Sequence, residues 1–159
     1  MEAKEQVKVR FFGVDINDVK FNCHQFFDGK AEIISQIETG TYYPPETKRE
    51  FKILMKMRIE VRESFVLEIQ GIGSFSIDED INDEIKKSII NKNCTAMMFP
   101  YMRSFISTFS SACGNVLGNI VLPVQYFMGD LIELTEKPSS DKPNIDKSNI
   151  QEPNLLSKI

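Results

Sequence analysis

In the segment TKREFKILMKMRIEVR at 47–62, apolar and polar side chains alternate from Phe51 to Arg62 with Leu54 as the one exception. Phe51, Ile53, Met55, Met57, Ile59 and Val61 take one side; Lys52, Leu54, Lys56, Arg58, Glu60 and Arg62 take the other. A period of two over this length predicts a β-strand with one buried face. The next run, SFVLEIQGIGSFSI, alternates as well and follows Arg62-Glu63-Ser64, so the two strands form an antiparallel hairpin. Gly71 and Gly73 within it permit a bend or a bulge. Upstream, Ala31 to Glu38 reads as another strand, and Tyr42-Tyr43-Pro44-Pro45 breaks the ladder before the long hairpin. Val7, Val9 and Phe11 begin a first strand that continues to Phe21 after a kink near Gly13.

After Asp78 the period changes. Ile81, Ile85 and Ile89 recur four apart behind Asp78, Asp80 and Asn82, each a competent helix cap. A turn at Asn91–Asn93 then separates this helix from a longer one. In the longer helix Met98, Met102, Phe105 and Phe109 form one apolar stripe, and Pro100 fits only near its start. Gly114 ends it, Asn119 to Val124 is extended, and Tyr126 to Leu134 is a short last helix. Strands first and helices after make the class α+β. The strand at 47–62 spans about 50 Å at roughly 3.3 Å per residue. An 18-residue helix covers only about 27 Å. Either the sheet curls on itself or a second copy covers it. Met97, Tyr101 and Ile106 lie off the main stripe and favour the second copy, with Met98, Met102, Phe105 and Phe109 at the oligomer interface.

Charge and composition narrow the function. The net charge of −4 is the wrong sign for a phosphate-neutralising nucleic-acid binder. The first residues lack an apolar targeting core. The longest apolar run, Ala96 to Met102, is far shorter than the roughly 20 residues that span a bilayer. Three dispersed cysteines make no disulfide framework, so the expected setting is a reducing cytoplasm, without membrane insertion. From Lys137 the chain holds three of its seven prolines and no aromatic residue. The organisation expected is one domain over 1–136 and a flexible tail over 137–159.

Catalytic chemistry is not in evidence. The single histidine, His24, adjoins Cys23, but no paired metal-ligand spacing exists, and Cys94 and Cys113 are remote in sequence. Gly71-Ile72-Gly73 lacks the third glycine and following helix of a nucleotide loop, and Asp78-Glu79-Asp80 lacks calcium-loop spacing. No cofactor and no enzymatic activity are expected. The basic side of the long strand fits cross-strand ion pairing. What remains is an aromatic and methionine surplus, twelve Phe, four Tyr and seven Met. Phe26, Phe27, Tyr42, Tyr43, Tyr126 and Phe127 fall in loops or at element ends, which suits either core packing or a surface for unlike apolar partners.

Four segments resemble the SecB-type protein-export chaperones, in the right order. They are INDVKFN (16–22), QGIGSFSI (70–77), CTAMMFPYMRSFIS (94–107) and NIVLPVQYF (119–127). The F-P-Y-x-R-x-x-I-S block with P-V-x-[FY] is the most specific part, and the similarity covers roughly 7–134. Thr95 stands where the family has proline after the cysteine, the loop after the long helix differs, and Asn22 replaces an acidic residue. The resemblance implies a four-stranded antiparallel sheet of Greek-key type with helices on one side, assembled as a dimer of dimers. It implies a holdase without catalytic site or nucleotide, which keeps newly made polypeptides non-native in long apolar grooves. It also implies delivery to the SecA motor through a patch that here would include Asp18, Val66 and Glu68. Two readings follow: a broad holdase, or a SecB-fold protein dedicated to one partner such as an antitoxin.

Overall fold

The computed structural model describes residues 7–78, 81–122, 132–135 and 137–138. Strands β1 (Val9–Cys23), β2 (Ile34–Tyr42), β3 (Glu50–Val61) and β4 (Phe65–Ile77) form an antiparallel sheet. A short β5 (Ile132–Leu134) runs parallel to β2 on its outer side. The order across the sheet is β1-β4-β3-β2-β5. β2, β3 and β4 follow as hairpins while β1 lies beside β4, the Greek-key arrangement. The long alternating run behaves as its pattern requires. Phe51, Ile53, Met55, Met57, Ile59 and Val61 are all 2% exposed or less.

β1 is regular in hydrophobicity only when its bulges are counted. Val9 and Phe11 hold odd positions, Val14 and Ile16 even ones, and Val19, Phe21 and Cys23 odd ones again. Register shifts fall between Phe11 and Gly13 and between Ile16 and Asp18. Each extra residue reverses the face taken by those that follow, so two bulges return the whole apolar series to one side. Gly13, at φ +111°, supplies the kink expected there.

Gly71 and Gly73 do something other than bend the strand. Both pair in register on either side, and the bulges lie across from them in β1. A Cβ at Gly71 would strike Met102 Sδ; one at Gly73 would sit 2.8 Å from Phe75 Cε2 and 3.0 Å from Met98 Sδ. The glycines let a helix lie close on the sheet. That helix, α2 (Thr95–Ala112), follows α1 (Asp83–Ile89) through one π-helical stretch, Ile90–Cys94. The expected turn at Asn91–Asn93 is therefore corrected. The hydroxyl of Thr95 lies 3.2 Å from the Ile90 carbonyl and 3.1 Å from that of Asn91, satisfying oxygens that the wider turn loosens. Asn82 is the residue that caps α1, its side chain accepting from the Glu84 N–H at 2.8 Å. Pro100 lies inside α2 rather than at its start; the Ala96 carbonyl it leaves unbonded is on an exposed turn, where water can serve it.

The buried face of α2 is Thr95, Met98, Phe99, Met102, Ile106 and Ser110. It is rotated from the expected stripe, so Phe105 and Phe109 lie at its margin, only half-buried. Burying each large apolar side chain is worth about 1.5–3 kcal/mol. After α2, the Ser110 hydroxyl accepts from the Ile120 N–H at 2.9 Å and holds the returning chain, whose Leu117, Ile120 and Leu122 close the core. The helix expected over Tyr126–Leu134 is corrected for residues 132–134, which are β5. Pairing on the open edge of β2 displaces local helical preference there. Residues 126–131 lie outside the described residues, as do 139–159 of the expected tail. Pro138, by contrast, is buried.

Candidate functional site

Two rows of aromatic rings cross the sheet on the α2 side. In the first, Tyr101 of α2 meets Phe11 edge-on at 5.2 Å, Phe11 stacks on Phe75 at 4.9 Å, and Phe75 stacks on Phe51 at 5.3 Å. Tyr43 continues the row at 6.3 Å from Phe51, with the Lys86 ammonium 4.7 Å from its ring centre. The row exists because Phe11, Phe75 and Phe51 are direct cross-strand partners. In the second row Phe105 stacks on Phe109, Phe109 meets Phe21 at 5.4 Å, Phe21 contacts Phe65, and Phe65 meets Phe27 at 5.8 Å. Ten residues of β4, roughly 33 Å, separate Phe65 from Phe75. Eight residues of helix, about 12 Å, separate Tyr101 from Phe109, so the rows converge on α2.

At that convergence the surface is apolar. Tyr101 is 54% exposed, and Met97, Val19 and Phe21 are between 36% and 39%. Phe12, at the first bulge, is 65% exposed. β1 is also the sheet's edge: it pairs with β4 alone among the described strands. An open edge strand is a template for pairing, and contiguous exposed apolar side chains mark interaction surfaces in general.

The expected client residues are not gathered in one groove. Phe26 is 65% exposed. Phe27 is half-buried on Phe65, and its N–H donates to the Val116 carbonyl at 2.9 Å. Tyr43 is half-buried at the opposite end of the sheet. Tyr42 points to the other face, against a small cluster of Leu54, Ile72 and Leu134. Tyr126 and Phe127 lie outside the described residues. Of the expected interface residues, Met98 and Met102 are wholly buried under the chain's own sheet, while Phe105 and Phe109 reach the surface. Phe12, Val19 and Phe21 were missed by sequence reasoning. The signal that finds them is the odd-even-odd switch of apolar positions along β1.

Asp18, Val66 and Glu68 do share one surface, the sheet face away from α2. It is not an acidic patch. Lys20 lies 3.7 Å from Asp18, and Arg58 is ion-paired with both Glu68 and Glu60. Burial disfavours the Arg58 charge, but the hydrogen bonds that its guanidinium donates to Glu68 and Glu60 outweigh it and raise its pKa. Lys56 lines the same recess, its pKa lowered by burial against the pull of Glu38.

Reactive groups are dispersed. Among the described residues no three His, Cys, Asp or Glu side chains converge as a metal site. Burial pushes the Cys94 thiol up to about 12, leaving it a structural side chain rather than a nucleophile. No helix among the described residues is long and apolar enough to cross a membrane.

Comparison with known proteins agrees with this architecture. An uncharacterised protein of Methanocaldococcus jannaschii is 23% identical over 146 residues, covering 86% of this chain and 93% of that one. A SecB-like chaperone of Mycobacterium tuberculosis, solved with a ChAD peptide from the HigA1 antitoxin, shares the fold with a TM-score of 0.62 at 11% identity. The match covers 74% of this chain and 88% of that one. Residues 6–120 match the model of the family described as preprotein translocase subunit SecB. With most of its length matched, its Greek-key sheet and its close-packed α2, the chain belongs to the SecB family.

Proposed function

We propose that this protein is a cytoplasmic chaperone that holds non-native polypeptides through apolar surface, keeping them from aggregating and competent for export. The observation that carries this reading is exposed aromatic surface on a member of this family. Phe12 and Phe26 each leave 65% of their surface to solvent. Such surface binds whatever apolar chain is available, at about 25 cal/mol per Å² before ordering costs. Binding of that kind is broad, because ring faces and thioethers impose little geometry.

Assembly divides the surface. The strip of β1 and α2 carrying Phe21, Tyr101, Phe105 and Phe109 suits a second copy, with Met98 and Met102 backing it from the core. A dimer, or a dimer of dimers, follows. Phe26, Phe27 and Tyr43, at the ends of the sheet, then remain for clients, with Tyr126 and Phe127 as further candidates. Delivery to SecA would use Asp18, Val66 and Glu68. The interleaved Lys20, Lys56 and Arg58 neutralise that face, so holding takes precedence over delivery in this reading.

The test is protection of several unrelated unfolded clients from aggregation, without nucleotide. Protection of all supports the holdase. Protection of a single one, for example an antitoxin, replaces it with a dedicated partner, and protection of none removes the chaperone reading.

A further inference from the structure

Among the described residues, the outer face of the sheet holds one apolar socket, and Leu134 of the chain's own β5 fills it. Residues 132–134 pair with Gly40–Tyr42 at the edge of β2. Leu134, 8% exposed, lies over Gly40 and clusters with Leu54 and Ile72, with Tyr42 packed against them. A Cβ on Gly40 would stand 2.7 Å from Leu134 Cδ2 and 2.8 Å from Cγ. Only glycine admits the leucine so close. The surrounding positions of this face are polar: Lys52, Lys56, Gln70 and Ser74. The socket therefore serves one side chain on an otherwise solvated surface.

Its occupant is weakly built in. β5 is three residues long and parallel, in a sheet whose other pairings are all antiparallel. Parallel pairing is slightly less stable per residue. β5 also covers only the last three of the nine residues of β2. Among the described residues, Ile34–Thr39 have no strand on that side. A longer extended segment in the same direction would make the pairs of β5 and further pairs along Ile34–Thr39. Main-chain bonds to an open edge plus one side-chain pocket is the general form of strand-addition recognition.

We infer that the outer edge of β2 is a strand-addition site for an extended polypeptide carrying a large aliphatic residue, and that residues 132–134 are its displaceable resident. Assigning that polypeptide to a client rests on the chaperone reading above; the site itself does not.

The test uses the full chain, its Leu134→Asp variant, and a fluorescent peptide of residues 129–138, read by anisotropy. Leu134→Asp should bind the peptide about tenfold more tightly than the unmodified chain, because the resident no longer competes. The same peptide with aspartate in place of Leu134 should not bind. Adding Gly40→Val should abolish binding by filling the socket. Amide hydrogen exchange at Gly40–Tyr42 should rise in Leu134→Asp and fall again with peptide. If Leu134→Asp melts substantially lower, Leu134→Ala takes its place in the same assays. Equal binding by both chains, no binding by either, or unchanged exchange would make β5 a fixed guard of the edge and overturn the proposal. Client protection by the unmodified chain is scored separately. Its absence alongside peptide binding removes the chaperone reading and keeps the site; its presence without peptide binding does the reverse.

Discussion

Gly71→Ala tests how closely α2 is pressed onto the sheet. The added methyl would overlap Met102 Sδ and approach Val14 Cγ1 at 3.1 Å and Met102 Cε at 3.2 Å. Methionine is adaptable, but Met102 is 0% exposed and enclosed by the core, so its sulfur has no free volume to enter. Overpacking of this kind costs about 1–3 kcal/mol. At about 4 °C per kcal/mol, the melting temperature should fall by roughly 4–12 °C. Urea denaturation at fixed protein concentration gives the free energy directly, and an unchanged slope would show that compactness is retained. Met102→Ala alone should cost about 2–5 kcal/mol by opening a cavity. The double variant should then lose less than the sum of the two, because each change relieves the other. Gly71→Ala within about 0.5 kcal/mol of the unmodified protein, or strict additivity, would refute the close approach.

Cys94 should resist thiol reagents in the native protein at pH 8 while Cys23 and Cys113 react, and it should label on unfolding. Its raised thiol pKa means that the unfolded chain loses its proton first, so stability should fall as pH climbs from about 9 towards 12 and Cys94→Ser should blunt that loss. Light scattering after gel filtration should give a mass above the 18.2 kDa of one chain, and Phe21→Asp or Phe105→Asp should lower it; a clean monomer at micromolar concentration sinks the assembly. Phe26→Ser should leave the melting temperature within about 1–2 °C and weaken client protection, since surface changes cost little stability. Phe27→Ser should destabilise by about 1–3 kcal/mol through its lost packing on Phe65.

The parts of the fold legible in the sequence were those with uniform periods. β3 declared itself because six alternate residues are buried without exception. The helical stripe was found, but placed about one position off. Phe105 and Phe109 extend the spacing of Met98 and Met102, yet the face is set by where Gly71 and Gly73 make room, which is a tertiary fact. β1 was read only in outline because two bulges switch its parity. β5 was invisible: three residues carry no period, and their conformation follows from the open edge of β2 and the space above Gly40. The scattered loop aromatics shared a composition but not a location. The SecA-patch residues shared a location, but their ion pairs with Lys20 and Arg58 depend on strand register.

The proposed holdase surface recognises the unfolded state of a chain rather than a particular sequence. Sedimentation of the purified protein with a permanently unfolded polypeptide, and with the same polypeptide in its native fold, measures that directly. A complex should form with the unfolded polypeptide at micromolar concentration without nucleotide, and none with its native form. Equal binding to both forms, or to neither, would contradict the proposal.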